Sequence, residues 1–212
     1  MKSLIFGALT ICAIATYVSF SAPAPAVVQN PGDWTVNVTF EHPQQIVLKS
    51  GIFGTPKRFW YVIVTLINNT NQDVDFFPKC DLMTDTFQIT PAGGNVPPAV
   101  FEMIKKRHQS RYPFLESLQT AGNRILQGED NAKDIAIIWP YFDVRATGFQ
   151  IFITGLSNET VAVEHPVQTD ENSMPVQVYL RKTLALSYNL KGDTRLRSDV
   201  GLEYKGKRWV MR

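Results

Sequence analysis

Hydrophobic and polar positions alternate along most of this chain. Trp34, Val36, Val38 and Phe40 fall on one side, and Thr35, Asn37 and Thr39 on the other, which is the period of a half-buried strand. A weaker strand is predicted over residues 45–49, and residues 51–56 read as a loop. Residues 58–67 do not alternate. Phe59, Trp60, Tyr61, Val62, Ile63, Val64, Leu66 and Ile67 make a run that suits a central strand covered on both faces. Asn68-Asn69-Thr70-Asn71 turns the chain. A strand resumes over 74–77, Pro78 breaks it, and another is predicted over 82–90.

The period then changes. Gly93, Gly94, Pro97 and Pro98 mark a loop. Beyond it Val100, Ile104 and His108 share one face, with Met103 and Arg107 beside them and Glu102, Lys105 and Lys106 opposite. That spacing predicts a helix of about three turns. Pro113 stops it, and Leu115, Leu118, Gly122, Ile125 and Leu126 predict a second helix over 114–126. The two form a helical insertion at about 99–126. Residues 128–134 read as a polar loop, 135–139 as a strand ended by Pro140, and 149–154 and 161–164 as two more. A long strand over 176–190 keeps its phase through Lys182 only if that side chain faces out or a bulge lies near it. Gly192-Asp193 is a turn, and 208–211 closes the chain. About eight short strands with regular turns, two helices and no repeats predict a mainly β fold, an antiparallel β-sandwich carrying a two-helix insertion.

The start of the chain has a different character. Lys2 precedes an apolar run over 4–20, and Ala22-Pro23-Ala24-Pro25-Ala26 follows. A charged start, an apolar core and a small-residue exit are the parts of an export signal. Cleavage is expected after Ala26, because a cut after Ala24 would place Pro25 beside it. The rivals are an uncleaved anchor through residues 4–20 and a lipid-modified Cys12, whose Leu9-Thr10-Ile11-Cys12 box has Ile11 where a small residue is needed. The expected organisation is a signal at 1–26, a linker at 27–33 and one domain at 34–212, exported to the periplasm or the cell exterior. The formal charge of +2 drops to about +1 without Lys2, so nothing electrostatic draws the chain to nucleic acid or anionic lipid. Cys80 is the one cysteine beyond the signal, which leaves no internal disulfide and is read as a small buried residue.

Candidate chemistry is sparse. His42 and His165 each precede a proline, and no pair among His42, His108 and His165 has helical metal spacing. Ser157 lacks the elbow of a serine hydrolase and reads as a turn. Asp81 with Asp85, or Glu129 with Asp130, are eligible carboxylate pairs that read as surface acids. The loop 128–134 offers oxygens to calcium, but without the alternating ligand spacing and with Lys133 inside it. Lys105-Lys106-Arg107-His108 with Arg111 is the densest basic run and reads as a solvated helix face. Arg195, Arg197, Lys205, Lys207 and Arg208 make a second basic stretch, diluted by Asp193, Asp199 and Glu203. Asn37-Val38-Thr39, Asn68-Asn69-Thr70 and Asn158-Glu159-Thr160 match a glycosylation pattern and read as strand and turn composition. No catalytic, cofactor or metal residue is assigned.

The run Trp60-Tyr61-Val62-Ile63-Val64-Thr65-Leu66-Ile67-Asn68-Asn69-Thr70 resembles the strand and Asn turn of bacterial immunoglobulin-like sandwiches. Phe152-Ile153-Thr154-Gly155-Leu156-Ser157-Asn158, Arg181-Lys182-Thr183-Leu184 with Gly192-Asp193, and Trp209-Val210-Met211-Arg212 resemble an uncharacterised family of exported planctomycete-type proteins. The resemblance implies an immunoglobulin-like fold and an exported location, and carries no catalytic role. The expected function is a non-catalytic binding or structural module of the cell envelope, its partner an envelope protein or polysaccharide. A recognition surface is expected on the exposed side of 100–126 or at a free sheet edge. The alternatives are an envelope hydrolase, marked by a cleft joining His108 or His165 to acids, and a carbohydrate-binding module, marked by Trp or Tyr rings along a sheet face.

Overall fold

Two long strands, each paired along both edges, organise the fold. The computed structural model describes residues 32–49, 54–192 and 201–212. They belong to one unit, Pro31–Arg212; the predicted signal, its anchor alternative and Cys12 lie outside the described residues. In chain order the elements begin with β1 (Asn37–Phe40), β2 (Gln44–Leu48), β3 (Lys57–Asn68), β4 (Val74–Asp75), β5 (Lys79–Thr84) and β6 (Ile89–Pro91). Helix α1 (Pro98–His108), β7 (Glu116–Ser117) and β8 (Arg124–Ile125) follow. The chain then closes with β9 (Gly128–Pro140), β10 (Gly148–Thr154), β11 (Thr160–Thr169), β12 (Pro175–Lys191) and β13 (Gly201–Met211).

One sheet centres on β3, with β1 and β2 sharing one of its edges, β9 on the other, and β7 parallel to β9. The second runs β11-β12-β10-β5-β6, with β13 on the remaining side of β12. Trp60, Val62, Val64 and Leu66 of β3 face the second sheet together with Ile135, Ile137 and Trp139 of β9. They meet Leu82, Ile151, Ile153, Leu184 and Leu186 in the inter-sheet core. The alternate residues Phe59, Tyr61, Ile63, Ala136 and Ile138 join Ile46 in an outer core, which Val100, Ile104, Tyr112 and Leu115 cover. The molecule is therefore mainly β, two stacked sheets with a helix on one outer face. β3 has the two-sided burial that its unbroken apolar run requires.

Each long strand has a partner interrupted by an excursion. Along β3, β1 and β2 form one line broken at Glu41-His42-Pro43. Along β12, β10 and β11 form one line broken at 155–159, which stands opposite Lys182 alone. The bulge that Lys182 called for is thus present, and Lys182 faces inward to use it.

Several expectations are corrected. The described residues contain one helix, not two. Residues 114–126 wrap around a sheet edge instead. Leu115 enters the outer core while Ala121 and Ile125 enter the inter-sheet core, so their side chains serve two sites and no single helical stripe. Gly122 sits at φ +68, and the Ser117 and Thr120 hydroxyls, 2.9 Å apart, close a turn in place of a helical repeat. The predicted loop 128–134 is the exposed first half of β9, paired through Leu66–Lys133 and Thr65–Asp134. The strand placed at 82–90 is a hairpin of β5 and β6, turning at Phe87 with φ 64. Trp34 to Val36 leaves the first sheet: Val36 N–H bonds Leu156 O and Asn158 N–H bonds Trp34 O. β13 begins at Gly201, well before 208, and one extra residue at Lys205 and Gly206 bulges it against β12.

Candidate binding cleft

The excursion at 155–159 builds a polar site. Gly155 starts it at φ +93, where an added Cβ would lie 2.7 Å from Phe77 O, so a side chain fits neither the backbone nor the space. Leu156 anchors it in the inter-sheet core. Ser157 Oγ donates to Trp34 O at 2.8 Å and accepts from Glu159 N–H at 3.1 Å. Asn158 accepts from Trp34 N–H at 2.7 Å and donates to Gly32 O at 3.0 Å. The polar side chains of this loop are engaged in pinning it to Gly32, Trp34 and Lys182.

A charge pair lies beneath it. Glu159, 6 % exposed, pairs with Lys182 Nζ, and Thr35 Oγ1 donates to the same carboxylate oxygen at 3.1 Å. The Trp209 ring covers the ammonium at 5.3 Å. Arg212 sits over Phe152 at 4.1 Å and reaches Asp81 at 3.7 Å. The segments 152–158, 181–184 and 209–212, far apart in sequence, thus meet at one end of the sandwich.

Above this base is a cleft of about 500 Å³, within the size range of small-ligand sites. Trp34, Ser157 and Asn158 contribute from the excursion and its partner strand. Asp73, Asp75 and Phe77 contribute from the chain around β4, Arg124 from β8, and Thr160 and Arg181 from β11 and β12. Strand alternation explains what reaches the surface here. Val74, Phe76 and Ile125 are buried, so Asp75, Phe77 and Arg124 point outward, Phe77 with 65 % exposure. Two carboxylates and two guanidiniums leave the lining without net formal charge. Asp73 accepts Gln127 N–H at 3.0 Å. Among the described residues, the side chains of Gln72, Asp75, Arg124 and Arg181 make no hydrogen bond or ion pair.

The residues singled out in the sequence lie mostly elsewhere. The three histidines stay apart. His42 Nδ1 is 3.3 Å from Tyr188 OH, His108 Nε2 is 2.9 Å from Tyr61 OH, and His165 Nδ1 accepts Val167 and Gln168 N–H groups on β11. Burial lowers the His108 pKa, partly offset by Glu41. Glu41 itself takes Tyr112 OH at 2.8 Å and Arg111 at 2.5 Å, on the rim of a shallow recess that includes Phe40, His42 and Leu202. No metal-sized group of His, Cys, Asp and Glu occurs among the described residues.

Cys80 is buried, and burial followed by Asp81 pushes its thiol pKa far up. Asp81 pairs with Lys79 at 3.6 Å, and Asp85 accepts from Thr147 N–H. Glu129, Asp130 and Asp134 are strand residues of β9, with Asp134 taken by Thr65 Oγ1 at 2.6 Å. They are strung along an extended strand, where a calcium loop would converge them. In the basic run, Arg107 donates to Gln45 O at 3.2 Å, which fastens the helix to β2, and Arg111, just past the helix, pairs with Glu41. Arg195 and Arg197 lie outside the described residues, and Lys205 pairs with Glu203 at 3.7 Å.

Reasoning from sequence missed Trp34, Phe77, Asp75, Arg124 and Arg181 as neighbours. Ser157, Asn158 and Thr160, read in the sequence as turn composition, do line the cleft, and Lys182, a charge kept in phase with Leu184 and Leu186, signalled the pair beneath it. The fold and site define a mainly β protein of two large stacked sheets and a small β4-β8 sheet, with a polar end cleft. No family model, no curated protein and no solved structure matches the chain.

Proposed function

We propose that this is an exported, non-catalytic binding module of the cell envelope, an immunoglobulin-like sandwich that holds its ligand in the cleft between Trp34 and Arg181. One observation carries the reading. The loop beneath the cleft satisfies its own polar groups, while four side chains on the rim, Gln72, Asp75, Arg124 and Arg181, carry donors and acceptors that no described residue uses. Hydrogen-bonding groups that convergent walls aim at one space are what a ligand needs.

The strand order supports the immunoglobulin-like reading. β1 and β2, β3 and β9 stand in one sheet, and β5, β10 and β12 in the other, as strands A, B, E and C, F, G do in that fold. Export rests on Lys2, the apolar run at 4–20 and the small residues to Ala26. No helix among the described residues is long and apolar enough to cross a membrane. The hydrolase alternative has less support, because neither His108 nor His165 lines the cleft.

The test is retention of the full chain on an envelope preparation, compared with Arg124→Glu/Arg181→Glu. Reversing two exposed charges should abolish retention and leave the melting temperature unchanged. Equal retention of both forms would remove the cleft as the site. Removing residues 1–26 should separately keep the chain in the cytosol, as fractionation would detect.

A further inference from the structure

We infer that the cleft takes a neutral oligosaccharide, an inference that rests on the cleft being the binding site. Three properties of the lining point there together. The first is charge. Asp73 and Asp75 face the same space as Arg124 and Arg181. An anion would meet two carboxylates and a cation two guanidiniums, while a neutral polyol meets no like charge and bonds to both. The second is group type. Amide, carboxylate and guanidinium are planar groups with paired donors or acceptors. Vicinal hydroxyls on a sugar ring present donor and acceptor at matching spacing, so the side chains of Gln72, Asp75, Arg124 and Arg181 have the group geometry to bond such pairs. The third is the rings. Phe77 is 65 % exposed and Trp34 part-buried on the same cleft. Folding leaves about two thirds of the Phe77 surface in water, and the C–H face of a pyranose packed on it would drive that water out.

The geometry beneath makes this a prepared surface. The Trp34 backbone is fixed from both sides by Asn158 and Ser157, and β4 pairs with β8 to set Asp75 beside Arg124. The backbone under the cleft is therefore ordered before binding, and what a ligand still has to order is the unpartnered side chains of Gln72, Asp75, Arg124 and Arg181.

The experiment is calorimetric titration of the full chain with cellohexaose, hexa-N-acetylchitohexaose, mannohexaose and maltohexaose, with polygalacturonate and polylysine as charged comparators. Wild type should bind at least one neutral hexamer in preference to both polyelectrolytes. Phe77→Ala and Arg181→Ala should each weaken that binding about tenfold, with unchanged melting temperatures. Binding that both variants retain would overturn the inference, as would stronger binding of either charged polymer. If no neutral hexamer binds, yet envelope retention is still lost in Arg124→Glu/Arg181→Glu, the sugar inference fails and the binding-module reading stands. If retention is also insensitive to the cleft, both fail.

Discussion

Lys182 shows what a single residue discloses in advance. Its place in the β12 alternation demanded either an outward charge or a bulge, and the structure supplies the bulge with a carboxylate inside it. Which carboxylate was not legible, because Glu159 lies across an excursion whose length no periodicity encodes. Breaking such a buried pair from one side leaves an uncompensated charge. Glu159→Gln should therefore cost about 3–5 kcal/mol in urea unfolding, whereas Glu159→Leu with Lys182→Met should recover most of that loss. Gly155→Ala forces a side chain against Phe77 O at positive φ and should cost about 2 kcal/mol by the same measurement. His108 gives a pH dependence. Its folded pKa lies below the unfolded value, chiefly through burial, so neutral imidazole is favoured in the fold. Its contribution is complete above the unfolded pKa and is lost as pH falls through the folded one. Urea midpoints measured from roughly pH 7 to 5 should fall less steeply in His108→Gln than in wild type.

At the scale of elements, α1 and β3 were readable because each repeats one environment over its length. Val100 and Ile104 meet one outer core, and β3 is apolar on both faces because both faces are covered. Residues 114–126 were misread because Leu115 and Ile125 are apolar for different reasons, one for each core. Residues 128–134 were misread because an exposed strand half has the composition of a loop. α1 is consequently a structural layer. Ile104→Ala should cost about 2–4 kcal/mol, and Lys106→Ala, on its exposed side, less than about 0.5 kcal/mol, both from denaturant titration. Deleting 99–126 would bare Phe59, Tyr61 and Ile63, so the expected outcome is an aggregated product, read by size-exclusion chromatography.

At the scale of the molecule, two stacked sheets were foreseeable from alternation and turn spacing, but the cleft was not. Its walls come from residues near 34, 75, 124, 158 and 181, which the pairing of β4 with β8, of β10 and β11 with β12, and of Trp34 to Val36 with the excursion at 155–159 brings together. No local pattern records such a meeting. The inter-sheet core also encloses Cys80, 3 % exposed on β5 with its neighbours Ile151 and Ile153 across the strand pair. Its sulfur can meet a reagent only when the two layers come apart. Alkylation mapped to the peptide containing Cys80 then becomes a built-in clock for whole-domain opening, ticking at a pace that Gly155→Ala should quicken and surface changes around the cleft should leave alone.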